Sequence, residues 1–85
     1  MTRVVLTSEG RREYKKLSRD FQILIAETFN ADFARNPFSQ SLHIRKLQPP
    51  FPGYRARLRG YRIMFTIEPE LIRIYRIRLR KDAYR

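Results

Sequence analysis

Hydrophobic and polar residues alternate with a period of two along two short runs that meet at Gly60. Tyr54, Ala56 and Leu58 fall on one side of a strand and Arg55, Arg57 and Arg59 on the other. Beyond the glycine, Tyr61, Ile63, Phe65 and Ile67 form a second apolar row, with Arg62, Met64 and Thr66 pointing the opposite way. Joined as a hairpin through Arg59 and Gly60, the runs share one apolar face and bring Arg55, Arg57 and Arg62 together on the other. After the polar turn Glu68-Pro69-Glu70, the stretch Leu71 to Leu79 predicts a last strand, with Tyr75, Ile77 and Leu79 alternating with Arg76, Arg78 and Arg80.

The N-terminal half reads differently. Arg3 to Thr7 is a short β-branched run and predicts a strand, and Ser8 is a good N-cap for a helix that buries Tyr14 and Leu17. Ser18 and Asp20 restart the count. From about Arg19 to Arg35, Phe21, Leu24, Ile25, Thr28, Phe29, Asp32 and Phe33 follow helical spacing, and Asn36-Pro37 ends the run. Phe38 to Ser41 reads as connection, Leu42 to Leu47 as a strand, and Gln48 to Gly53, with Pro49, Pro50 and Pro52, as a loop. The order of one strand, two helices and four strands predicts an α+β domain spanning residues 1–85, two N-terminal helices packed on one face of a small, mostly antiparallel sheet. Its other face is then expected to be open to solvent and to carry Arg55, Arg57, Arg62, Arg76, Arg78 and Arg80.

Charge sharpens this picture. Lysine and arginine number 19 against 8 acidic residues, a net +11. Residues 54–85 carry nine arginines and one lysine against Glu68, Glu70 and Asp82, a net +7, whereas residues 1–53 carry +4. Such a surface calls for a polyanionic partner, and arginine grips phosphate with a planar fork. There is no cysteine, so nothing points to an oxidising compartment. The longest apolar run, Ile23 to Ala26, is far short of the ~20 residues that span a bilayer. With no secretory h-region at the N-terminus, a cytoplasmic location without membrane association is expected.

Few constellations for catalysis remain. A single histidine, His43, and no cysteine cannot build a zinc site, so no metal and no cofactor is expected. His43 reads as a structural or surface residue. Neither a Gly-x-Ser-x-Gly elbow nor a glycine-rich phosphate loop is present. Several arginines around one phosphate can stabilise a pentavalent transition state, but arginine stays protonated and cannot take the proton of a 2′-OH. That proton would fall to Lys81, Tyr84, an acid in the tail or a group supplied by a partner. The arginine rows alone fit a pure binding surface equally well. Tyr54, Tyr61, Phe65 and Tyr75 read as core packing, whereas Tyr84 stands in a polar tail.

Tyr54-Arg55-Ala56-Arg57-Leu58 with Gly60-Tyr61-Arg62-Ile63-Met64-Phe65, and the ending Arg76-Ile77-Arg78-Leu79-Arg80-Lys81-Asp82-Ala83-Tyr84-Arg85, resemble the RelE/ParE toxin superfamily over nearly the whole chain. The resemblance implies the toxin of a type II toxin–antitoxin system, a ribosome-dependent endoribonuclease. It would cut A-site mRNA by attack of the ribose 2′-OH on the adjacent phosphate and so inhibit translation. Its implied partners are the ribosome, mRNA and a cognate antitoxin that covers the same surface in a hetero-oligomer. Carried over by motif, the catalytic set is Arg55, Arg57, Arg62, Arg80 and Tyr84. Arg62 and Arg80 would hold the phosphate, Tyr84 would stack on a base, and Arg55 and Arg57 would position the chain. Arg59, Arg76, Arg78 and Lys81 would extend the RNA-binding surface. Arg55 stands where bacterial RelE enzymes often carry a lysine, and Leu79 where many relatives have histidine; the Tyr-Arg-Ala-Arg-Leu pattern is closer to archaeal RelE-like toxins. ParE-type members share the fold and inhibit DNA gyrase, and a non-catalytic RNA- or ribosome-binding module also fits the arginine face.

Overall fold

The computed structural model describes residues 3–30, 33–34, 36–39 and 42–82. The chain runs β1 (Arg3–Leu6), α1 (Ser8–Lys15), α2 (Arg19–Thr28), β2 (Arg45–Lys46), β3 (Tyr54–Leu58), β4 (Tyr61–Glu68) and β5 (Leu71–Leu79), with short 3₁₀ turns at Pro37–Ser39 and Arg80–Asp82. The five strands form one sheet in the order β1-β5-β4-β3-β2. Only the β1–β5 pair is parallel, because the two helices intervene between those strands; β2 to β5 pair antiparallel.

The hairpin predicted at Arg59-Gly60 forms. Both residues take positive φ, 50° and 80°, the geometry of the two-residue turns that match strand twist. The resulting register sets Ala56 opposite Ile63 opposite Ile77, and Tyr54 opposite Phe65 opposite Ile74. These residues build the core with Ile25 of α2, with Phe29 just past its end, and with Phe33, Ala34 and Ile72; Tyr14 of α1 and Leu17 after it pack against it. Phe33 and Phe65 are fully buried with ring centroids 5.7 Å apart. Each such side chain contributes about 1.5–3 kcal/mol by leaving water.

Several boundaries differ from the sequence pattern for local reasons. The cap of α1 is Thr7, not Ser8: its hydroxyl accepts from the Gly10 amide at 3.0 Å. Ser18 caps α2 by accepting from the Phe21 amide. The apolar stripe continues to Phe33, but α2 stops at Thr28 because the Asn30 side chain competes with the helix ladder. Its amide donates to the Glu27 carbonyl at 2.9 Å, and its oxygen accepts from the Phe33 amide at 3.0 Å. Asp32 and Arg35, assigned to this helix by spacing, lie outside the described residues. The strand expected over Leu42 to Leu47 shrinks to Arg45–Lys46, since His43 has φ 51° and breaks the extended run; Leu42 still accepts from the Arg57 amide at 2.8 Å.

Helix α1 lies against the margin of β5. Strand β1 pairs with Leu71 to Ile74 and then turns away at Thr7, whose amide donates to the Ile74 carbonyl. Beyond that point Glu13 takes over the strand edge, its carboxylate accepting from the Ile77 amide at 2.7 Å. The approach is close enough to require glycine at position 10, where a Cβ would sit 2.5 Å from the Ile74 carbonyl oxygen. The two helices are tied side chain to backbone: the Tyr14 hydroxyl donates to the Gln22 carbonyl, and the Gln22 amide donates to the Tyr14 carbonyl.

Candidate functional site

The face opposite α2 carries the arginines, as the alternation predicts, but it is not uniformly open. Register places Arg57 opposite Arg62 opposite Arg78 in one row across three strands, and Arg55 opposite Met64 opposite Arg76 in the next. Like charges set directly opposite each other are destabilising unless something negative lies beside them. The two ends of these rows solve that problem differently.

At β5 the protein supplies the carboxylates. The Arg78 guanidinium donates to Glu13 and reaches Glu9 at 3.5 Å, and Arg76 lies 3.9 Å from the same Glu9 oxygen. The Arg76 guanidinium also sits over the Phe51 ring, 5.2 Å from its centroid, and its side chain is only 14% exposed. Arg73 pairs with Glu68 at 2.8 Å. Hydrogen bonds from Arg73 and from the Thr66 hydroxyl hold the Glu68 carboxyl below its ordinary value, and the same pair raises Arg73. Arg76 and Arg78, assigned above to RNA binding, are thus engaged within the fold.

At the hairpin tip the arrangement is the reverse. The Arg80 amide donates to the Gly60 carbonyl at 2.9 Å, which locks the 3₁₀ turn after β5 onto the β3–β4 turn. Arg57, Arg62 and Arg80 thereby line one cavity of about 170 Å³ with Gly60 and Tyr61. Arg62, Arg80 and Lys81 line a wider adjoining cleft with Gly60 and Leu79. Among the described residues, no acidic one lines either. Arg57, Arg80 and Lys81 are exposed; Arg62 is 9% exposed and forms the floor. Such a cavity can seat a phosphate group between guanidinium forks. Arg59 stands exposed on the turn itself.

Two expectations need correction. Arg55 shares the face but is not solvent-facing: at 6% exposure it donates to the His43 carbonyl at 2.7 Å and lies outside the Arg57–Arg62–Arg80 cavity. The positive φ of His43 goes with this contact, while the His43 side chain is exposed. Tyr75 does not join the core row. A bulge opposite Met64/Phe65 shifts the alternation of β5, so that Ile74 and Ile77 both face the core and Tyr75 goes to the other side. There it packs against a second small cluster, Leu47 and Met64 with Phe51, and its hydroxyl donates to the Pro52 carbonyl at 2.8 Å. The loop lies where the prolines predict it, but the cluster beneath it was not anticipated; the signal was Met64 and Leu47, apolar positions on an otherwise charged face. Tyr84 lies outside the described residues.

Among the described residues, no three His, Cys, Asp or Glu side chains group so as to hold a metal ion. No helix among them is long and apolar enough to cross a membrane. No family model matches the chain, and no curated protein sequence does. Among solved structures the chain is similar to a chain of the toxin–antitoxin complex RelBE2 from Mycobacterium tuberculosis. The TM-score is 0.76 at 24% identity, over 93% of this chain and 98% of that one. The likeness extends from end to end and shows the RelE-like fold that the motifs imply.

Proposed function

We propose that this protein is the toxin of a type II toxin–antitoxin pair and acts as a ribosome-dependent mRNA endoribonuclease. The observation that carries the reading is the convergence of Arg57, Arg62 and Arg80 on one cavity in a RelE-like fold. Arg62 and Arg80 hold the non-bridging oxygens of the scissile phosphate. The ribose 2′-OH loses its proton and attacks that phosphorus to close the 2′,3′-cyclic phosphate, the bond to the 5′-oxygen of the next nucleotide breaks and that oxygen takes up a proton to leave as the 5′-hydroxyl, and the guanidinium groups stabilise the charge that builds on the phosphoryl oxygens. Arg57 neutralises the strand and fixes its path. The 2′-OH proton passes to a group other than arginine: Lys81 lines the adjoining cleft, and Tyr84 follows in the tail. The similar chain belongs to a toxin–antitoxin complex, and the basic face is the natural seat of an antitoxin here, since an acidic segment would neutralise it.

Programmed ribosomes test this reading. Added protein is expected to cut A-site mRNA and to leave a 2′,3′-cyclic phosphate and a 5′-hydroxyl, and a 2′-deoxy nucleotide at the cleaved position should abolish the cut. Intact mRNA together with a loss of supercoiling by DNA gyrase would favour a ParE-type inhibitor; binding of RNA without either effect would leave a non-catalytic module. Co-expression with the protein of the neighbouring reading frame should restore growth and yield a co-purifying complex.

A further inference from the structure

Next to the hairpin cavity, on the same face, lies a second basic cleft with a different construction. Arg45, Lys46, Leu47, Gln48, Pro49, Phe51 and Arg55 line a cavity of about 370 Å³, between β2 and the proline loop. No acidic residue lines it among the described residues, in contrast to the surroundings of Arg73, Arg76 and Arg78. Arg45 and Lys46 are exposed, and Arg45 stands opposite the anchored Arg55. The loop is fixed rather than loose: the Leu47 amide donates to Gly53, the Phe51 amide to Gln48, and the Tyr75 hydroxyl to Pro52. At Gly53 a Cβ would lie 2.1 Å from the Phe65 carbonyl oxygen, so this end of the loop is pressed onto β4. Three prolines reduce the entropy lost when a ligand settles there.

We propose that this cleft is a second single-stranded RNA subsite, which holds the nucleotide next to the one at the hairpin cavity and sets the sequence preference of the cut. The inference rests on the reading of the chain as an RNA-cutting toxin. Arg45, on the same side of the sheet as Arg55, takes the phosphate with Lys46 at the margin of the cleft, the half-buried Phe51 ring forms the apolar wall against the base, and the exposed Gln48 amide reads the base edge with its donor and acceptor. Arg55, which lines this cleft, and Arg57, which lines the hairpin cavity, are two residues apart on β3 and point to the same side, about 7 Å from each other along the strand. That distance is comparable to the spacing of successive phosphates in an extended strand, so one RNA strand can reach both.

The test uses the full chain and a labelled hexaribonucleotide, 2′-O-methylated throughout so that it cannot be cut, with anisotropy followed across a salt series. Arg45→Ala with Lys46→Ala should weaken binding about tenfold and flatten the salt slope by roughly 0.7–1.4, the release expected from one or two phosphates of a single strand. A dinucleoside monophosphate, whose single phosphate cannot occupy both sites, should bind that variant and the parent alike. Phe51→Leu, which keeps an apolar side chain against Leu47 and Met64, should cost about fivefold or more. Gln48→Ala should change the ranking of homopolymers with little change in mean affinity. If the Arg45/Lys46 variant binds the hexanucleotide as the parent does while Arg57→Ala with Arg80→Ala loses it, the subsite is refuted and the hairpin reading stands. If neither pair matters, both fall. If the Arg45/Lys46 variant loses an acidic peptide but keeps RNA, the cleft is a protein-docking surface and the proposal is wrong.

Discussion

The arginines of β5 and those around the hairpin tip occupy the same face of one sheet and arise from the same alternating pattern, yet they meet opposite surroundings. Arg73, Arg76 and Arg78 each have a carboxylate within 4 Å, and two of the three carboxylates come from α1, more than sixty residues away in sequence. Arg57, Arg62 and Arg80 line a cavity with no acidic side chain among its described residues. A sheet can tolerate rows of like charge only where something answers them. On β5 that answer comes from Glu9 and Glu13 of α1 and from Glu68; at the hairpin tip the exposed guanidinium groups of Arg57 and Arg80 are open to a ligand. Density of arginine therefore marks the face, and the placement of acids marks the site.

The comparison breaks most visibly on the rate. Arg80→Ala is expected to lower ribosome-dependent cleavage by roughly 10²-fold, as loss of a transition-state oxyanion donor does, while the melting temperature stays unchanged because the side chain is exposed. Arg78→Ala should do the opposite, with cleavage within a few-fold of the parent and a lower melting temperature. Arg62→Ala is less informative, since a side chain that is 9% exposed contributes to both.

Next in size are changes to the α1 seam, read by denaturant unfolding. Gly10→Ala should destabilise by about 1–3 kcal/mol through overpacking against the Ile74 carbonyl. Glu13→Ala should cost about 1–3 kcal/mol, because it strips the partner from the Ile77 amide and from Arg78 at once. If either variant unfolds as the parent does, α1 does not close the β5 edge in the way described.

The smallest effect concerns acid. The Glu68 carboxyl is depressed in the folded chain by Arg73 and Thr66, so its contribution is present above its ordinary value of 4.5 and is lost as pH falls through the lower folded value. The pair is exposed, so the contribution is slight and should vanish in high salt. Comparison of Glu68→Gln with the parent across acid pH checks it: any difference at pH 7 should shrink as pH falls below 4.5.

The hairpin, the order of elements and the shared face of Arg55, Arg57 and Arg62 were legible in the sequence because a period of two and a left-handed turn at Arg59-Gly60 are local properties. What escaped was set by long-range contacts. Glu9 and Glu13 look like ordinary solvated helix residues until the parallel return of β5 brings Arg76 and Arg78 beside them. The burial of Arg55 depends on the backbone of His43, and the side taken by Tyr75 depends on one bulge residue, which reverses every later position of the strand. The break of α2 at Asn30 had a local cause, but the continuing apolar stripe masked it.

The most direct test of the central claim observes the arginines themselves. Side-chain Nε–Hε resonances of the full chain are followed by NMR while an uncleavable 2′-O-methyl RNA is titrated in. The account predicts that Arg57, Arg62 and Arg80 shift with saturation while Arg76 and Arg78 stay in place, held by Glu9, Glu13 and Phe51. Shifts centred on Arg76 and Arg78, with Arg57, Arg62 and Arg80 unmoved, would contradict it.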